Sequence, residues 1–221
     1  MKKILFLLSI VFILSSCSKS SSNLECIPKN ASSVTSINIT SIVRKLDFSS
    51  LKDLKSVRAM NKEIAEENKK ASRIMDDLME NPMSSGIDFL SDVYIYTITD
   101  GDDENFVCTS LAVQNKSKFE DFIKKLIRES DEEYELIKED NYQYFLMQGV
   151  AVSFDDDKAV ILVALNRASR RNIDSEAEYV MELSESNQIT TVANFNDFIS
   201  NKKDLSFWIS SNAFEDQREF R

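Results

Sequence analysis

The chain has 221 residues, 43% of them hydrophobic, and a formal net charge of −10, long enough to bury a sizeable core and too apolar to be disordered. It contains no histidine and only three glycines, Gly86, Gly101 and Gly149. That excludes Ser-His-Asp and Cys-His catalysis, His-based metal sites and His-ligated haem, and the widely spaced glycines exclude glycine-rich phosphate loops. The acidic balance argues against nucleic acid, which is bound largely by basic residues displacing counterions. No cofactor is implied.

Met1-Lys2-Lys3 precedes Ile4–Leu14, in which only Ser9 is polar. A run this short behind two lysines is the h-region of a secretory signal, since a spanning helix needs roughly 20 apolar residues. It ends in Leu14-Ser15-Ser16-Cys17, which resembles the lipobox of bacterial lipoproteins. The resemblance implies cleavage between Ser16 and Cys17 and acylation of Cys17, with residues 1–16 as signal peptide. Each buried methylene contributes about 0.8 kcal/mol, and stable anchoring takes more than one acyl chain. Loss of residues 1–16 removes Lys2 and Lys3, leaving 25 basic against 37 acidic residues, a formal charge of −12. The serine-rich stretch after Cys17 has little to bury, so residues 17–25 are expected to be the lipidated cysteine and a flexible tether. Ser18 in place of Asp fits sorting to the outer membrane. No acidic run follows at once, which fits the periplasmic face, surface exposure being the alternative.

An α+β body is expected over residues 26–210, with 211–221 as a C-terminal tail that could mark a truncation. Entered through Ile27-Pro28, Val34 to Thr40 alternates as a first strand. Leu51, Leu54, Val57, Met60, Ile64, Ala71, Ile74 or Met75, and Leu78 then recur at helical spacing, predicting one long or two abutting helices that stop at Asn81-Pro82, with Glu66 pairing Lys70. Hairpins are predicted for Val93–Thr99 with Phe106–Val113, across Asp100–Glu104, and for Val150–Phe154 with Val160–Leu165, across Asp155–Lys158. Tyr142–Met147 reads as a further strand. Helices follow over Lys116–Glu129, Arg167–Leu183 and Ala193–Ser200, then a strand over Leu205–Ser210. Phe119-Glu-Asp-Phe122-Ile123 is echoed by Phe195-Asn-Asp-Phe198-Ile199, which points to a repeated hairpin-helix unit with both sets packing inward. The expected fold is an antiparallel sheet of hairpin-helix units with helices packed on it, preceded by a long helical segment.

Ile27-Pro28-Lys29-Asn30-Ala31 before a Val-x-Ser-Ile-Asn strand, Pro82-x-x-Ser85-Gly86-Ile87-Asp88-Phe89, and Asn201-Lys202-Lys203-Asp204 before Ser206-Phe207-Trp208 resemble a family of uncharacterised Bacteroidetes-type lipoproteins. The resemblance spans about residues 26–210 and implies no catalytic residues. Members usually run longer, so the chain resembles their N-terminal portion.

Asp100–Glu104 has the acid density of a calcium loop, but Asn105 and Leu111 stand where an EF-hand needs Gly and Glu. It reads as a solvated turn, as does Asp155–Asp157. The acidic stretch Glu129, Asp131, Glu132, Glu133, Glu135, Glu139 and Asp140 is a solvated face or a surface for a basic partner. Ser49-x-x-Lys52 lacks the companion motifs of a serine-lysine site. Cys26 and Cys108 would sit in a compartment where disulfides persist; Cys108 lies mid-strand, where a thiol packs as a small apolar group, so free thiols are expected. Three classes remain open: a non-catalytic binding or assembly module of the envelope with a protein partner, a structural or stress-related lipoprotein, and a carboxylate-dependent hydrolase.

Overall fold

The computed structural model describes residues 22–46, 53–100, 104–130 and 132–214. At its centre lie strands β1 Ser33–Ile37, β2 Val93–Asp100, β3 Glu104–Ala112, β4 Glu135–Lys138, β5 Gln143–Met147, β6 Val150–Phe154, β7 Lys158–Ala164 and β8 Leu205–Ile209. They form one sheet in the order β4-β5-β6-β7-β3-β2-β1-β8, every neighbouring pair antiparallel. The helices are α1 Ile39–Leu46, α2 Lys55–Glu67, α3 Lys69–Glu80, α4 Lys116–Ser130, α5 Arg167–Arg171, α6 Ile173–Met181 and α7 Ala193–Ser200. The class is α+β, an antiparallel sheet with helices packed on it. Because β1 comes before α2 and α3, these helices form an excursion between two neighbouring strands.

Strand alternation divides the side chains between two faces. On one, a row crosses the sheet through Trp208, Val34, Tyr96, Cys108, Leu162, Ala151 and Leu146. Its cover is Leu24 to Ile27, the α6 residues Ile173, Ala177, Val180 and Met181, Ile189, and Phe195 of α7. We call this the tether face. On the other, a row runs through Phe207, Thr35, Ile95, Thr109, Ile161, Val152, Phe145 and Leu136. Here α4 covers the β5–β6 side, setting Phe119, Ile123 and Ile127 against Phe145, Val152 and Phe154. Along that row Phe145 is fully buried, Ile161, Thr109, Ile95 and Thr35 are half-buried, and Phe207 is 60% exposed. We call it the open face.

Several expectations are corrected. The tether does not run to residue 25: Ser22–Leu24 form a 3-10 turn with Asn23 and Leu24 buried. The Asn23 side chain donates to the Asp92 carbonyl at 2.7 Å, Ser110 Oγ donates to the Asn23 carbonyl at 2.6 Å, and Ser22 Oγ donates to the Asp157 carbonyl at 3.0 Å. Three polar bonds and one buried leucine outweigh the serine-rich composition. The first strand stops at Ile37 because Asn38 turns the chain, its Oδ1 accepting from the Ser41 N–H at 2.7 Å to start α1.

The helices over 55–80 part at Asn68, whose side chain donates to the Glu129 carbonyl at 2.7 Å and accepts from the Lys70 N–H at 3.0 Å. Glu66 consequently pairs with Lys62 at 3.7 Å and Lys70 with Glu129 at 3.1 Å, not with each other. The helix expected over Arg167–Leu183 is two, joined at Asn172.

The internal echo does not mark equivalent helices. Phe119 packs on the open face and Phe195 on the tether face, while the helix lying on β6 and β7 is α6. Phe119, Ile123 and Phe195 are buried as expected, whereas Phe122, Phe198 and Ile199 are half-buried. The spacing of three puts the second aromatic at the margin of each helix–sheet contact.

Candidate functional site

Cys17, Ser16, the 1–16 signal, Ser49, Lys52, Gly101 to Asp103 and Asp131 lie outside the described residues, as does the tail from residue 215. The second acidic turn serves its own backbone: Asp155 Oδ1 accepts from the N–H groups of Asp157 and Lys158, both at 2.8 Å, and Asp156 reaches Lys116 at 3.5 Å. Of the acidic stretch, Glu132, Glu133 and Glu135 line an open hollow of about 580 Å³ with Tyr134, Leu146, Met147 and Gln148. Among the described residues no group of three or more Cys, Asp or Glu could hold a metal ion.

Beneath the tether face lies a polar pair of rails. Tyr142 donates to Glu182 at 3.2 Å and Tyr144 to Glu178 at 3.3 Å, tying the end of β5 to α6. Burial first, and the facing glutamates second, push both phenols up, Tyr144 to about 12, so both are donors at neutral pH. Cys26 and Cys108 are free, buried thiols in the same core, and Tyr96 donates to the Cys26 carbonyl at 2.8 Å. Burial raises the Cys26 thiol to about 12, the Lys158 charge offsetting only part of that, and burial raises Cys108 as well. The thiolate is the nucleophile. Iodoacetamide at pH 8 is therefore expected to leave both cysteines unlabelled in the folded protein and to label both in guanidinium; rapid labelling of either in the folded state would contradict this burial. The same shifts fix a sign for stability. Groups whose folded pKa lies above the unfolded value stabilise below the unfolded value and lose that contribution as pH rises, so melting temperature falls from about pH 9 toward 12.

The strand expected over Leu205–Ser210 forms as β8, Leu205–Ile209; what the sequence did not show is its place at the sheet edge, with an apolar row exposed. Leu205, Phe207 and Ile209 project from the open face at 65%, 60% and 41% exposure, while Trp208 between them is buried against Phe195. Only the alternation within Leu-Ser-Phe-Trp-Ile could have signalled it, because such a strand is apolar on both faces. Position is set by the loop before it. Lys202 bridges to Asp92, donates to the Tyr94 hydroxyl at 3.2 Å, and stands over the Tyr94 ring. Asp204 accepts from Ser41 Oγ at 2.6 Å and pairs with Lys45; these bonds hold its carboxyl below the usual range.

A family model described as "Domain of unknown function (DUF4836)" matches residues 23–219. The chain belongs to the DUF4836 family. A second model, the prokaryotic membrane lipoprotein lipid attachment site, matches residues 1–18, so this DUF4836 protein is a membrane-anchored lipoprotein. Among curated proteins nothing matches. A solved structure described as "Structure of crystal form IV of TP0453" is similar at a TM-score of 0.46 and 9% identity, covering 84% of this chain and 63% of that one; at that similarity it bears on neither fold nor function. No described helix of this DUF4836 chain is long and apolar enough to cross a membrane.

Proposed function

We propose that the protein is an envelope lipoprotein of Bacteroidetes type, acylated on Cys17 and held at the outer membrane on its periplasmic side, whose body is a non-catalytic binding or assembly module with a protein partner. The observation supporting this is the open face. A sheet in which one side is buried over most of its strands and the other runs from buried Phe145 to exposed Leu205, Phe207 and Ile209 presents a contiguous apolar margin, the kind of surface that marks interaction sites. Threonines at 35, 97 and 109 keep the middle of that face compatible with water.

The test has two arms. Cys17→Ala should move the protein from the membrane to the soluble periplasmic fraction. A photo-crosslinking residue at exposed Leu205 or Ile209 should capture one defined partner in the envelope, whereas the same residue at exposed Glu63 on α2 should capture none. A mutant that stays membrane-bound, or identical products at both places, would refute the respective half.

A further inference from the structure

Among the described residues β8 is an edge strand, with one side of its backbone not paired to another strand. Asn38 N–H donates to the Asp204 carbonyl at 2.8 Å and Ser210 N–H to the Ser32 carbonyl at 3.0 Å, so even-numbered residues turn their peptide groups toward β1. In an antiparallel ladder the alternate residues turn theirs outward. Those are Leu205, Phe207 and Ile209, the three whose side chains are exposed, and among the described residues no strand pairs with that side. Natural edges are blunted by charge, proline or shortness. The other edge of this sheet obeys: β4 is the four residues Glu-Leu-Ile-Lys. β8 reads Leu-Ser-Phe-Trp-Ile, with no charge and no proline.

We propose that two copies of this chain join by their β8 edges, antiparallel, with Phe207 on the two-fold axis, giving one continuous sheet. The inference rests on the binding-module reading and names its partner as a second copy. The edge is self-complementary in this register: Leu205 faces Ile209 of the other copy and Phe207 faces Phe207, with about six backbone hydrogen bonds from the outward groups. Lys203 then lies across Ser211 and Asp204 across Ser210, so no like charges oppose each other. The two-fold axis of such a pair is perpendicular to the sheet. Residues 22–27 pack on the same face in each copy, so both N-terminal segments stay on one side and both lipids reach one bilayer. The contact is smaller than a standard interface, and anchoring in a common membrane raises the local concentration that such a contact needs.

The acylated full chain, reconstituted in phosphatidylethanolamine–phosphatidylglycerol vesicles, tests the register. Cys26 and Cys108 are buried, so an introduced edge cysteine is the reactive one. A bis-maleimide of about 8 Å span should join a mixture of Leu205→Cys and Ile209→Cys chains. It should not join Leu205→Cys chains alone, whose thiols would lie roughly 13 Å apart. Phe207→Pro removes an outward N–H and leaves the β1 ladder intact; it should cut the mixed cross-link at least tenfold while melting stays cooperative. If Phe207→Pro fails to fold, Phe207→Lys, which sets two lysines face to face, should give the same loss. Absent mixed cross-links, equal links at 205–205, or links that survive both variants would overturn the pairing. Cross-links from β8 to a different envelope protein would also overturn it, and would leave the binding-module reading standing.

Discussion

Phe195→Ala is expected to cost about 3–5 kcal/mol in urea unfolding, the scale of a fully buried phenylalanine lost from a core. Phe195 has no exposed surface, meets Trp208 edge-on at 5.4 Å between ring centres, and touches Phe198 at 5.4 Å. Its loss would open a cavity between α7 and β8 that neither helix nor strand can collapse into, because the loop joining them is pinned by Lys202 to Asp92. Phe119→Ala should behave alike, since Phe119 stands edge-on to Phe154 at 5.2 Å beneath α4. Phe122→Ala and Phe198→Ala, half-buried, should cost roughly half as much or less. With a typical domain stability of about 5–15 kcal/mol, only the first pair threatens folding at 37 °C. Equal losses across all four variants would show that burial does not rank these aromatics.

Gly86→Ala should be nearly as severe, at about 3 kcal/mol or more. Gly86 sits at φ +76°, and a Cβ there would lie 2.4 Å from the Asn115 carbonyl oxygen and 2.5 Å from the Phe119 nitrogen. Both are backbone atoms at the start of α4, which cannot rotate aside, so the segment 82–89 would have to lift from the helix and lose the bonds that the Gly86 carbonyl accepts from the N–H groups of Gln114 and Asn115. Gly149 is the comparison. Its φ is +81°, but the nearest atoms to an added Cβ belong to the Arg170 side chain at 3.2–3.5 Å, which can swing away. Gly149→Ala should therefore cost only the backbone strain, about 1–2 kcal/mol. Similar melting shifts for the two variants would mean that backbone contact at Gly86 adds nothing to its conformation.

Local patterns carried much of this fold but not the order of its strands. Alternation with a flanking turn placed β2, β3, β6 and β7, and the helix over Ala193–Ser200 was legible to the residue because its aromatics recur at a spacing of three. β4 was not, since Glu135 and Lys138 bracket its two apolar residues and an acidic run leads into it. Nor was α1, where the alternation of β1 runs on through Thr40 and the deciding signal is a single Asn38 side chain. The echo of Phe119 in Phe195 misled because equal spacing says which side of a helix is apolar and nothing about which side of a sheet receives it. Of the candidate site, the lipid attachment motif within residues 1–18 was readable. The exposed edge was not, because whether Leu-Ser-Phe-Trp-Ile lies inside a sheet or at its margin depends on strand order, which no short stretch encodes.

The docked N-terminal turn has a geometric consequence. Ser22 is bonded to Asp157, and Asn23 is locked between Asp92 and Ser110. With Cys17 as the lipidated residue, as proposed, only five chain steps would separate the anchor from Ser22, a reach of no more than roughly 18 Å. A folded unit of this size is about 35–40 Å across. So anchored, the described body would be moored like a boat on a line shorter than its hull. On that proposal it would skim one leaflet, and whatever meets it would itself come within about 60 Å of the lipid headgroups.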